Sequence, residues 1–199
     1  MKTTFTKLCH TMKTISTAVL ISSALVSTAF AGTAVVDAFD SATQNSYGFD
    51  RIFMTDAMAG GGSQSETKVH SGVMHVTGKI APPRGQPGWA SSVLPLAPMG
   101  EAPDLSEYQG VRLLVKLNSG SLSLSANSNE VTNFDYHAAQ VVLRSDGEFH
   151  EVKVPFDSMK RMWSEQTALD PKTVNSLSIV AFGLQPGEFD FELDEVSFY

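Results

Sequence analysis

Cysteine is almost absent from this chain. Its single example, Cys9, falls in a segment that reads as a cleavable leader, so the mature protein has no thiolate chemistry, no disulfide and no cysteine metal site. Positive charge is scarce too: 14 Lys and Arg face 21 Asp and Glu, for a formal net charge of −7 at pH 7. Phosphate backbones and anionic lipid surfaces are held by clustered cations, and here the cations are scattered singly. Nucleic acid is therefore excluded as a partner, and an anionic membrane surface is disfavoured. H-E-x-x-H, G-x-S-x-G and phosphate-loop patterns are missing as well, along with the metalloprotease, serine hydrolase and nucleotide chemistry they carry.

What is present begins with the leader. Lys2, Lys7 and Lys13 make a positive start, Ile15 to Val26 is mostly apolar, and Ala29-Phe30-Ala31 is an A-x-A cleavage site. Residues 1–31 are expected to be a secretory signal peptide, and 32–199 a single domain in the periplasm or outside the cell. The apolar run is shorter than the roughly 20 residues of a membrane span, so no transmembrane anchor is expected after cleavage.

The remaining sequence alternates. Ala34–Phe39, Phe49–Met54, Thr67–His70, Val73–Ile80, Trp89–Leu96, Tyr136–Leu143, Phe149–Phe156, Leu177–Leu184 and Glu188–Phe198 are β-like runs between Gly, Ser, Asn and Pro punctuation. Val111, Leu113, Val115 and Leu117 have period two, and Leu122, Leu124 and Ala126 resume it after Asn118-Ser119-Gly120, which predicts a hairpin. Helix is limited to turns at Ser158–Trp163 and at Pro171–Val174, the latter with Asp170 as N-cap. About ten strands with turns every 8–12 residues predict an all-β, antiparallel β-sandwich of the jelly-roll type. Phe189, Phe191 and Leu193 fall on one parity and Val196 and Phe198 on the other, which places a β-bulge near Asp194-Glu195.

Four groups of residues are candidates for a site. Asp56-Ala57-Met58-Ala59-Gly60-Gly61-Gly62-Ser63-Gln64-Ser65 reads as a shaped turn, with glycine supplying the backbone freedom and Asp56, Ser63 and Ser65 bonding freed amides. Asp190, Glu192 and Asp194 alternate on one strand at a spacing that two glycosidase carboxyls could use, or that a half-solvated strand requires. Asp37, Asp40 and Asp194 could supply oxygens to a structural calcium where the first and last strands meet. Phe134, Tyr136, His137 and Trp163 are aromatic groups near polar loops, suited to stacking on sugar faces or to packing; Trp89 reads as core.

The ordered motifs resemble one family. Asp56-x-Met58-Ala59-Gly60-Gly61-x-Ser63 is similar to the "N-D-x-V-M-G-G-x-S" signature of the NADH:ubiquinone oxidoreductase complex I intermediate-associated protein 30 family. Gly88-Trp89-Ala90-Ser91-Ser92-Val93, Asp104-Leu105-Ser106-Glu107-Tyr108-Gln109-Gly110-Val111, Val154-Pro155-Phe156 and the stretch from Gly183 to Val196 resemble its later motifs in order. Thr55 and Ala59 depart from the signature, standing where it has asparagine and methionine. The resemblance implies a galactose-binding-like jelly roll, a fold also used by secreted carbohydrate-binding modules. It also implies non-enzymatic work, since mitochondrial members assemble respiratory complex I through protein contacts. A leader would place this chain across the membrane from that complex's peripheral arm, so the role does not transfer intact.

Three readings follow. An adapter would offer the Asp56, Gly60, Gly61 and Ser63 loop to a protein partner. A carbohydrate-binding module would use Tyr136 and Trp163 on a saccharide. A glycan-active enzyme would use Asp190 or Asp194 as acid or base. No cofactor is expected beyond the candidate calcium.

Overall fold

The computed structural model describes residues 34–199; the expected leader lies outside the described residues. Its strands are β1 (Ala34–Asp37), β2 (Ile52–Thr55), β3 (Gln64–His70), β4 (Val73–Ile80), β5 (Gly88–Pro95), β6 (Gly110–Ser119), β7 (Leu122–Ser128), β8 (His137–Val141), β9 (His150–Pro155), β10 (Lys160–Arg161), β11 (Val174–Gly183) and β12 (Gly187–Phe198). Two six-stranded sheets form an all-β antiparallel sandwich. One runs β3-β4-β12-β6-β9 with β1 also on β12, and the other runs β10-β8-β7-β11-β5-β2.

Alternation explains the layers. Leu113, Val115, Leu117, Phe189, Phe191 and Leu193 point inward from the first sheet, and Leu94, Leu122, Leu124, Leu177 and Ile179 from the second; all are buried in one core. Burial of apolar surface drives this closure, at about 25 cal/mol per Å² removed from water. The expected parity change lies where β12 slips register against β6 between Leu193 and Glu195, and Val196 and Phe198 return to the core. First and last strands pair, Ala34 opposite Phe198.

Two local expectations are corrected. β6 and β7 do not form a hairpin, because the chain crosses at Ser119-Gly120-Ser121 from one sheet to the other. Leu117 and Leu122 both reach the core from opposite layers, and their alternation alone does not distinguish a hairpin from an arch. Ser158–Trp163 is not a helical turn either. A 3-10 turn at Phe156–Ser158 gives way to β10, whose Lys160 and Arg161 pair with Ala138 and His137. Pro171–Thr173 is a 3-10 turn, with the Asp170 carboxylate accepting from the Lys172 N–H at 2.9 Å. Among the described residues, no helix is long and apolar enough to cross a membrane.

Candidate functional site

The outer face of the second sheet carries a cleft of about 600 Å³. Its floor follows from strand parity: where β7, β11 and β5 send Leu124, Ile179 and Leu94 into the core, their intervening residues face out. Ser178 therefore sits between Ser125 on β7 and Val93 on β5. Asn127 donates through Nδ2 to the Ser176 and Ser178 hydroxyls at 3.0 and 2.9 Å. The Ser125 hydroxyl is shut from solvent and has no hydrogen-bond partner. The result is a floor of neutral hydroxyl and amide groups set among small apolar ones.

Aromatic rings wall the floor. Tyr136 meets Trp163 edge to face, with ring centroids 5.3 Å apart and planes at 86°, and Trp163 remains 60% exposed. Phe134 beside them is held at φ 62° and is exposed. Trp89 forms the opposite wall with Met54 and Pro87, so it is not the core residue expected. β5 alternates Ala90 and Leu94 inward with Trp89, Ser91 and Val93 outward, and a large ring at the outer position lands in the cleft. A smaller compartment of about 180 Å³ continues past Tyr136 and Trp89 toward Gln140 and Phe182. His137, one residue from Tyr136, faces the other way; it is buried and its Nε2 lies 2.9 Å from the Thr167 carbonyl oxygen.

Trp163 is carried by a segment that Asp135 pins. That buried carboxylate accepts from Arg161 Nε at 2.9 Å and from the Met162 and Ser164 N–H groups at 3.0 Å each. It also accepts from the Tyr136 N–H at 2.9 Å. These bonds take the amides a helical turn would have used, and they bracket both wall residues. Burial alone would push the Asp135 carboxyl up. The bond from Arg161, followed by those from Ser164, Tyr136 and Met162, outweighs it and holds the group well below the usual carboxylate range. Burial, then the Asp135 charge, pushes the Tyr136 phenol up, which keeps it a neutral hydroxyl.

The glycine loop serves the cleft from beneath. Asp56 and Ser63 are both buried, and Asp56 accepts from Ser63 N and Oγ at 2.9 and 2.6 Å and from Trp89 N at 3.1 Å. Ser63 Oγ in turn accepts from Ala81 N at 2.9 Å. One carboxylate thus ties the β2–β3 loop to the end of β4 and the start of β5, at Trp89 itself. Gly60 caps the 3-10 turn Asp56–Ala59 at φ 84°. A Cβ on Gly61 would fall 2.3 Å from Asp56 Cγ, so only glycine lets the loop close over the carboxylate. Asp56 and Ser63 are thereby removed from direct partner contact.

The remaining candidates do not converge. Asp190 accepts from Asn118 Nδ2 at 2.9 Å and lies 2.9 Å from His75 Nε2, while Glu192 pairs with Lys116. These acids line the solvent side of the first sheet, each with its own partner. Asp37, expected as a calcium ligand with Asp40 and Asp194, instead accepts at Oδ2 from Arg51 Nε at 2.6 Å and at Oδ1 from Arg51 Nη2 and the Phe39 N–H at 2.8 and 2.9 Å. Among the described residues, no three His, Cys, Asp or Glu are placed to share a metal ion.

Of the residues lining the cleft, the sequence singles out Phe134, Tyr136 and Trp163 as candidates, but not Trp89 or the serine floor. A usable pattern was there: Ser123 and Ser125 alternate with Leu122 and Leu124, as Ser176 and Ser178 do with Leu177 and Ile179. Two strands with serine on the same parity describe one hydroxyl-bearing face.

The pattern of the Complex I intermediate-associated protein 30 (CIA30) family matches residues 40–193. No curated protein matches the chain in sequence. In structure it is similar to the Family 11 Carbohydrate-Binding Module of the cellulosomal cellulase Lic26A-Cel5E of Clostridium thermocellum, with TM-score 0.60 and 18% identity over 84% of this chain and 94% of that one. A Family 11 module from the same organism in complex with a beta-1,3-1,4-mixed-linked tetrasaccharide gives TM-score 0.59 at 18% identity, over 84% of this chain and 95% of that one. A Family 30 Carbohydrate Binding Module gives TM-score 0.52 at 14% identity, over 83% of this chain and 97% of that one. At these identities the likeness establishes the sandwich fold.

Proposed function

The chain belongs to the Complex I intermediate-associated protein 30 family, and on that premise we propose that it is a non-catalytic, secreted or periplasmic domain that binds a saccharide in the cleft between Trp89 and the Tyr136–Trp163 pair. One observation carries this reading. The exposed Trp163 and the half-buried Tyr136 and Trp89 line one cleft with serine hydroxyls and an asparagine amide, the combination that stacks on pyranose faces while bonding their hydroxyls. The structurally similar module bound to a mixed-linked tetrasaccharide adds support from outside the chain. The separate pairing of Asp190 with His75 and of Glu192 with Lys116 favours binding over hydrolysis. Export rests on the leader-like residues 1–31.

Affinity electrophoresis against soluble polysaccharides tests the reading. Retardation by at least one glycan, reduced about ten-fold or more in affinity by Trp163→Ala, is expected. Unretarded migration against the whole panel would overturn it.

A protein-contact reading keeps one observation of its own: Ile52 and Phe53 on edge strand β2, and Met58 in the turn that follows it, are each exposed. It requires a partner that Phe53→Asp releases without affecting glycan binding, measured by co-purification with the exported protein.

A further inference from the structure

Saccharides met outside cells include uncharged chains and charged ones, among them polyanions bearing uronate or sulfate. Among the described residues, no Asp, Glu, Lys, Arg or His lines either compartment of the cleft. We propose that the ligand is an uncharged saccharide chain, held only by ring stacking and neutral hydrogen bonds. This rests on the saccharide-binding reading and adds the chemical class.

Two cations near the aromatic wall are engaged elsewhere, and a third lies outside the lining. Arg161 stands behind Trp163, but its Nε is on Asp135, and its Nη1 and Nη2 are on Thr167 and Asn133 at 3.4 and 3.2 Å. Lys160 donates to the Asp157 carbonyl at 2.8 Å. Arg84 is exposed in an adjoining cavity that shares Gln86 with the cleft, but it is not among the residues lining the cleft itself. A uronate carboxylate entering the cleft would give up water without gaining a counter-charge, and an unpaired desolvated charge is costly. The field of the chain adds to this, because a formal net charge of −7 repels a polyanion before contact. A neutral chain meets neither penalty. Its hydroxyls find Asn127, Gln86, Ser91 and the Tyr136 phenol at the lining, and its ring faces find Trp89 and Trp163.

The cleft also continues. Trp89, Tyr136, Pro87 and Val180 border both compartments, so a chain stacked on Trp163 can pass Tyr136 toward Gln140. An extended occupant fits this shape better than a single sugar.

The test compares matched polymers by affinity electrophoresis and titration calorimetry. Mixed-linkage β-glucan and agarose serve as neutral probes, polygalacturonate and alginate as anionic ones. Binding is measured between roughly 10 mM and 0.5 M NaCl, across which the Debye length falls from about 30 Å to a few ångströms. Binding to a neutral chain that changes less than about two-fold across that range and is lost in Trp163→Ala supports the proposal. Binding to an anionic chain that weakens with salt and depends on Trp163 would overturn it while leaving the saccharide-binding reading standing. Absence of binding to all four would overturn both.

Discussion

Tyr136 and Trp163 meet in a T-shaped arrangement at a centroid distance of 5.3 Å and an angle of 86°. The pair comes from segments 27 positions apart in sequence, and Asp135 ties them together by bonding the Tyr136 amide on one side and the Met162 and Ser164 amides on the other. The two rings form a fixed wall facing Trp89.

Replacing a wall residue should therefore weaken binding, and at the exposed Trp163 it should leave folding almost unchanged. Trp163→Ala and Trp89→Ala are each expected to weaken saccharide affinity by about ten-fold or more by calorimetry. Trp163→Ala should move the thermal midpoint little, since that ring is 60% exposed.

Asp135→Asn tests the strut. It keeps the approximate shape but loses the charge that holds Arg161, and because the pair is only part-buried the loss should fall below the roughly 3–5 kcal/mol of a fully buried pair. The sign with pH follows from the depressed carboxyl. Its contribution is fully present above the ordinary value of 3.8 and is lost as pH falls from there through the lower folded value. The difference in unfolding free energy between the parent and Asp135→Asn should thus be constant near neutrality and shrink in strong acid, as followed by denaturant titration at several pH values.

Asp56→Ala leaves the Ser63 and Trp89 amides without their acceptor. Unsatisfied buried donors cost about 1–3 kcal/mol each, so the variant should lose a few kcal/mol by chemical denaturation. Gly61→Ala should lose a comparable amount, because its Cβ would collide with Asp56. A stabilised or unchanged Gly61→Ala protein would contradict the role given to this loop.

Affinity for a neutral glycan should be flat from roughly pH 6 to pH 9. Tyr136 is the only titratable side chain among the described residues lining the cleft, and its phenol is pushed up by burial and by Asp135. A histidine-like inflection in calorimetric titrations would contradict this assignment.

Much of the architecture was legible in the sequence. Val73–Ile80 was read with its observed ends, the bulge before Glu195 followed from the parity of Phe191 and Val196, and the pairing of first and last strands fitted the fold. These depend on local alternation, which a strand displays residue by residue. The β6–β7 crossing did not follow, because a turn at Gly120 serves a hairpin and an arch equally well. The site was half legible. Trp163 stood out as a large ring among charged neighbours, whereas Trp89 reads as core because the family strand position it resembles takes a large apolar residue. Its exposure depends on which parity of β5 faces the core, a property of the sheet and not of the segment. Asp56 was legible as a turn residue, but its bond to Trp89 joins positions 33 apart and is visible only in three dimensions.

The protein contains two tryptophans, Trp89 and Trp163, and both line the cleft. Intrinsic fluorescence is therefore a direct reporter of the site. Titration with a neutral oligosaccharide should produce a saturable change in tryptophan emission in the parent protein, weakened about ten-fold or more in apparent affinity by Trp163→Ala. Emission that stays constant in the parent across a panel of neutral and anionic oligosaccharides would contradict the assignment of this cleft as a saccharide-binding site.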